Sequence, residues 1–303
     1  MLLYFFILLF VYFFYPATAH AWGPGAHLEY SLHALSQIAL LAPAVRAILK
    51  KHPNDFLYGS IAADIILGKK FAGELYHCHH WEVAFPLLDQ AEDERQKAFI
   101  YGYLTHLSVD TVAHNYFVPF KIIKSFEAYT LRHTYWEMRY DLKMPHKVWD
   151  LVKELAEGDY HRNDVLLSRS LKKALFSFNT NKKIFDGLLL IQRMNRWRKA
   201  AEAMAARSTY ILNDENVHEY KTLCYEVAVD FLQNLDQSRA VQADPTGKLK
   251  LLYAKEMVKK LKKYTSRNIL SEHDANRLIL EIKKCLREGI YKPVELPDIY
   301  DVV

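Results

Sequence analysis

The chain has 303 residues, of which 51% are hydrophobic and 25% charged, with a formal net charge of +5. So much apolar material excludes a disordered chain, and so small a positive excess does not by itself imply nucleic acid. Three widely spaced cysteines, Cys78, Cys224 and Cys285, exclude a disulfide framework or a Cys-x-x-Cys zinc motif.

Residues 1–15 are almost wholly apolar and aromatic, and small residues follow as far as Ala19, His20 and Ala21. The small-x-small pattern fits a signal-peptidase site, so a leader over residues 1–21 and secretion or periplasmic export are expected. An N-terminal membrane anchor is the alternative, although a run of about 15 is short of the roughly 20 residues a span needs. The pattern departs from a usual leader in having no Lys or Arg near Met1. Cleavage after Ala21 would make Trp22 the N-terminus, and a free terminal amine is a metal donor that no internal residue supplies.

Trp22, Gly23, Pro24 and Gly25 then form a tight turn that delivers His27. Ten Gly and ten Pro are few, and long stretches without either favour helices over short strands. Periodicity predicts a helix over residues 28–51, ended by His52 and Pro53. Residues 56–67 read as a buried segment with a single carboxylate, Asp64, which needs a partner there: a metal or a helix end. His77, His79 and His80 crowd a loop or helix start before Trp81. Cys78, within that cluster, reads as a packed residue rather than a ligand.

A helix over 92–117, ended by Pro119, carries His106, Asp110 and His114, and a further helix over 121–144 carries His133 and Glu137. Helices over 164–178, 183–206 and 216–235 hold no dense cluster of ligand types and read as scaffold. Residues 237–247, with Asp244, Pro245 and Gly247, look like a boundary that separates 22–240 from a helical extension over 241–303. Within it, residues 248–267 carry eight Lys or Arg, from Lys248 to Arg267, against one Glu. That is a solvated face or a surface for anionic lipid headgroups. A last helix is expected over 272–288.

The four-residue spacing of His106, Asp110 and His114 carries the chemistry. Each such step advances about 400° on a helix, so the three share one face while His106 and His114 stand roughly 12 Å apart along it. One ion cannot easily take both histidines, and Asp110 between them could bridge; a polynuclear site follows. His133 and Glu137 repeat the i,i+4 relation. Nine of the 14 histidines fall between His27 and His133, many near carboxylates. Nitrogen and oxygen donors without an ordered thiolate set suit zinc.

Taken in order, these residues resemble the zinc-dependent phospholipases C, the group of secreted bacilli enzymes and the N-terminal domain of clostridial alpha-toxin. Trp22 matches the family's N-terminal Trp, His27 the next His, and Ala62, Ala63 and Asp64 its Ala-Ala-Asp element. His80 before Trp81 is the best match for its His-aromatic pair, with His77 and His79 left as alternatives. His106 and Asp110 match the His-x3-Asp core, His114 the following His, and His133 and Glu137 the last His-x3-Glu. Three residues separate Asp110 from His114, where the secreted toxins have five.

The resemblance implies an all-α, multi-helix bundle of the phospholipase C and zinc nuclease type, here with a helical C-terminal extension over 241–303. It implies three zinc ions: one on Asp64, His80, His106 and Asp110; one on Trp22, His27 and the shared Asp110; one on His114, His133 and Glu137. A water bridging the first two would become hydroxide near neutral pH and attack phosphorus, with Asp64 as general base as well as ligand. The activity implied is hydrolysis of a glycerophospholipid to diacylglycerol and a phosphorylated headgroup. Partners are therefore phospholipid and, through 248–267, an anionic membrane surface, with no specific nucleic acid. Rival expectations are a zinc nuclease or 3′-nucleotidase on the same fold, or a non-catalytic secreted metal-binding protein.

Overall fold

Pro24, Pro43 and Pro53 each open a helix, where the missing N–H of proline would have no intrahelical partner anyway. The computed structural model describes residues 22–65, 78–128, 133–170, 177–192 and 194–302. The leader expected over 1–21 and the candidate ligand His77 lie outside the described residues. Helix α1 is Pro24–Ser36, α2 Pro43–Lys51 and α3 Pro53–Ala62. The single helix expected over 28–51 is thus two helices separated by a short 3-10 turn, Ile38–Leu40, because Pro43 cannot sit inside a helix.

After two short helices, α4 (Trp81–Ala84) and α5 (Pro86–Asp89), comes the central one, α6 (Glu94–Val112). The Asp93 carboxylate caps it by accepting from the Gln96 N–H at 2.9 Å. Every residue of α6 from Ala98 onward is buried, as for a helix covered on all sides. It is crossed by α3 at two glycines: an added Cβ would lie 1.9 Å from the Phe99 carbonyl oxygen at Gly59, and 1.9 Å from that of Phe56 at Gly102.

The chain does not stop at Pro119 as expected. A π turn, Ala113–Phe117, follows α6 and passes directly into α7 (Val118–Lys124). The wider turn shifts the hydrogen-bond register, so Pro119 sits at the start of α7, where no N–H is required. The helix expected over 121–144 is correspondingly split into α7 and α8 (His133–Asp141).

The scaffold follows as α9 (His146–Glu157), α10 (His161–Ser170), α11 (Phe178–Gln192), α12 (Asn195–Ala206) and α13 (Asp214–Asn234). Last come α14 (Lys248–Ser266) and α15 (Glu272–Glu288). The fold is all-α, with no strand among the described residues. Both C-terminal helices pack on α7, and Met257, Leu261, Leu278 and Ile282 join the same apolar core as α3 and α6. Among the described residues no helix is long and apolar enough to cross a membrane.

Candidate metal centre

Four separate pieces of backbone converge on Asp110. It projects from the fully buried middle of α6, and His106 stands one turn earlier on the same helix. Asp64 follows the end of α3, His27 lies in the first turns of α1, and His79 comes from the turn before α4. The α3–α6 glycine crossing brings Asp64 and Ser60 against His106.

Distances within the first group are short and mutual. His79 Nε2 lies 3.2 Å from Asp64 Oδ1, 3.5 Å from Asp110 Oδ2 and 3.0 Å from His106 Nε2. His106 Nε2 is 3.2 Å from Asp110 Oδ2 and 3.9 Å from Asp64 Oδ1. Zinc–donor bonds of about 2.0–2.1 Å in a tetrahedron require donors about 3.3 Å apart. These five spacings bracket that value. The His106 Nδ1–H donates to the Ser60 carbonyl at 2.8 Å, which leaves Nε2 as the lone-pair nitrogen facing the carboxylates. His79 is oriented the same way, its Nδ1 lying 3.3 Å from Cys78 Sγ.

His27 lies against this group, its ring stacked on His106 with centroids 3.7 Å apart. Its Nε2 is 3.4 Å from Asp110 Oδ1. Among the described residues neither nitrogen of His27 and neither oxygen of Asp110 has a hydrogen-bond partner, although all four are sealed from solvent. Orphaned buried donors and acceptors of this kind are costly unless an ion takes them. Burial, reinforced by the neighbouring His106, lowers the His27 pKa to about 3, so its ring is neutral and free to ligate. Burial disfavours the Asp110 carboxylate, but the surrounding His106, His27 and His114 outweigh it and hold Asp110 below the ordinary range. His106 behaves like Asp110 and unlike His27: burial acts against its charge, yet Asp110 and Asp64 outweigh it and raise its pKa.

The second cluster is His114, His133 and Glu137, whose ligand atoms all lie within 4.8 Å of one another. His133 Nε2 is 2.6 Å from Glu137 Oε1, one turn on along α8. His114 stands in the π turn, which turns its side chain away from the strict α-helical face of His106 and Asp110 and toward α8. Its Nδ1–H donates to the Pro245 carbonyl at 2.5 Å, and its buried Nε2 has no hydrogen-bond partner among the described residues. Burial, with His133 beside it, lowers the His114 pKa and keeps the ring neutral.

Of the two described histidines before Trp81, His79 lies in one of the three candidate ligand groups among the described residues and His80 in none. His80 is the N-cap of α4, with extended backbone, and Trp81 behind it is buried with its indole N–H on the distant Ala243 carbonyl. That anchor turns His79 inward. Cys78 is buried and belongs to none of the groups, as a packed residue would be. Trp22 is fully buried among Tyr30, Phe117 and Tyr140, with its indole N–H on the carbonyl of Val109, the residue before Asp110.

Two contributors carry no residue-type signal and were not expected: the Ser60 and Pro245 carbonyls, which orient His106 and His114. Asp141 is a third. Its carboxylate accepts the Ala26 N–H at 2.7 Å and so pins the start of α1, one residue before His27.

The fold and site define an all-helical protein with adjacent imidazole–carboxylate groups that could hold metal ions. The chain belongs to the zinc-dependent phospholipase C family, which it matches over residues 26–183. That stretch contains His27, Asp64, His79, His106, Asp110, His114, His133 and Glu137. The family carries zinc and a phospholipase C-type function on phospholipid, and the donor set here fits zinc. No curated relative and no solved structure matches the chain.

Proposed function

We propose that the protein is a secreted phospholipase C that cleaves glycerophospholipids to diacylglycerol and a phosphorylated headgroup. The observation that carries this reading is the set of near-tetrahedral donor spacings around His79, His106, Asp64 and Asp110, beside sealed and unpartnered atoms of His27 and Asp110. Asp64, His79, His106 and Asp110 would hold one zinc ion. His27 and the second oxygen of Asp110 would hold another, joined by the Trp22 amine once cleavage after Ala21 frees it. His114, His133 and Glu137 would hold a third.

Bound zinc supplies Lewis acidity toward phosphoryl oxygens and lowers the pKa of water to about 7. The chain's own residues do the rest. Ser60 and Pro245 fix the tautomers of His106 and His114, so the site need not reorganise when substrate arrives. Asp110 is sealed, but the Asp64 side chain keeps 12% of its surface exposed. Asp64 is therefore the carboxylate that water can reach, and it serves as general base as well as ligand.

On the membrane side, Leu249 and Leu252 of α14 are exposed among its lysines, while Ala254, Met257 and Leu261 face the core. A basic face with protruding leucines suits adsorption to anionic lipid.

The test is hydrolysis of phosphatidylcholine by the secreted, N-terminally sequenced protein. Activity should disappear with EDTA, return with zinc and coincide with an N-terminal Trp. Activity indifferent to chelation would sink the proposal. Cleavage of single-stranded DNA with no action on phospholipid would replace it by the nuclease alternative.

A further inference from the structure

Away from the metal centre, the surface where α7 meets α8 and α15 gathers more positive charge than its one acid among the described residues, Glu219, balances. The ammonium groups of Lys121, Lys124 and Lys283 lie 5.7, 5.9 and 5.7 Å from the centroid of a single ring, that of Phe120. Lys121 is the extreme case. Only 1% of it is exposed, its Nζ lies 5.4 Å from the Trp136 ring centroid and 5.9 Å from that of Tyr220, and its ammonium makes no hydrogen bond or ion pair among the described residues. An ammonium has three donors to satisfy, and a cation–π contact returns only about 0.5–2 kcal/mol against a desolvation penalty of several.

Neighbours worsen the imbalance. Arg139 stacks over the Tyr135 and Trp136 rings, its centre 5.6 and 5.9 Å from their centroids. The acid on this side, Glu219, is already committed: it accepts from Tyr116 at 2.8 Å and Lys283 at 2.9 Å and pairs with Arg287 at 3.1 Å. Burial, then Lys124, Lys283 and Arg139, push the Lys121 pKa down to about 7. Natural proteins rarely leave a buried lysine in such company unless something neutralises it.

We propose that Lys121, Lys124 and Lys283 form a binding site for a phosphomonoester dianion, a group with three equivalent oxygens for three ammonium groups. Lys121 forms the floor, and exposed Lys124 with half-buried Lys283 leaves one side open. The α15 helix supplies Lys283 from outside the stretch that matches the phospholipase C family. The site stands whether or not the catalytic reading does. Its ligand is either a soluble phosphate compound or a phosphatidic acid headgroup.

The test is calorimetric titration of the zinc-loaded protein with inorganic phosphate. Two classes of site are expected, one at the zinc centre and one at the lysines. In Lys124→Gln/Lys283→Gln the second class should weaken at least about tenfold, a change of about 1.4 kcal/mol, while zinc content and phosphatidylcholine hydrolysis stay unchanged. Lys124→Gln alone, at an exposed position, should shift binding the same way by less, and guards against disruption of the Glu219 contacts. Lys121→Met should abolish the second class and yet raise thermal stability in phosphate-free buffer. Vesicles of phosphatidylcholine with and without phosphatidic acid separate the two sources. Retention on the acidic vesicles that the double variant loses identifies the lipid; phosphate binding without such retention identifies a soluble compound. A phosphate isotherm identical in wild type and all three variants overturns the site. If phosphatidylcholine is never hydrolysed while the lysine variants behave as stated, only the catalytic reading falls.

Discussion

Asp141 carries the clearest residue-scale consequence. Burial raises its pKa to about 7, against the opposing pull of the Ala26 and Gly25 N–H groups. A folded-state pKa above the unfolded value of about 3.9 means the fold prefers the protonated form. The stability this confers is present in acid and is lost as pH rises through about 7. Asp141→Asn keeps an acceptor for Ala26 and removes the titration. In metal-free protein, the stability of the variant relative to wild type should therefore grow between pH 5 and 7, with a limiting slope of about 1.4 kcal/mol per pH unit. Urea midpoints across that range measure it, and parallel curves would contradict it. A second residue-scale outcome separates adjacent histidines: His79→Ala should lose zinc from the first group and His80→Ala should retain it, by metal analysis. Sequence alone left three histidines in four residues open, because a loop has no period to phase them. What settles the orientation is remote: the Trp81 indole on the carbonyl of Ala243, 162 residues away.

At the scale of elements, the metal centre depends on how closely α3 and α6 approach. Gly59 faces the Phe99 carbonyl, and Gly102 faces the Phe56 carbonyl and the Ser60 nitrogen, so no side chain fits at either position. Backbones this near can exchange weak Cα–H···O contacts and set Ser60 within reach of His106. Gly59→Ala and Gly102→Ala should each force the helices apart and cost at least about 1–3 kcal/mol in urea unfolding. Zinc affinity at Asp64, His106 and Asp110 should fall with it. Alanine at either place with unchanged unfolding and zinc binding would show that the crossing is not what sets the site. The i,i+4 rows of ligands were legible because helical period alone places them. The π turn was not: nothing in Ala113–Phe117 advertises an extra residue per turn, and the wider turn both re-aims His114 and carries the chain past Pro119.

Across the whole molecule, the segment that looked like a boundary is tied into the centre. Residues 243–247 receive the Trp81 indole at Ala243, the Asn115 amide at the Asp244 carbonyl and the His114 imidazole at the Pro245 carbonyl. A backbone carbonyl has the same appearance in every sequence, so this role was unreadable before the fold. Gly247 closes the loop with φ of +55°, and a Cβ there would stand 2.3 Å from the His114 carbonyl oxygen. Gly247→Ala therefore combines a left-handed penalty of about 1–2 kcal/mol with a collision against the very residue the loop orients. Loss of the Pro245 bond would free His114 to adopt the other tautomer, with its proton on Nε2 and no lone pair for a metal there. The expected result is selective: zinc content should drop by one ion per chain, while the group around Asp110, held by Ser60 and the α3–α6 crossing, keeps its metal. Titrating the released zinc with a colorimetric chelator and counting the ions that remain reads this directly. Equal loss from all groups would mean that the loop supports the fold as a whole, and full retention would mean that His114 does not depend on Pro245.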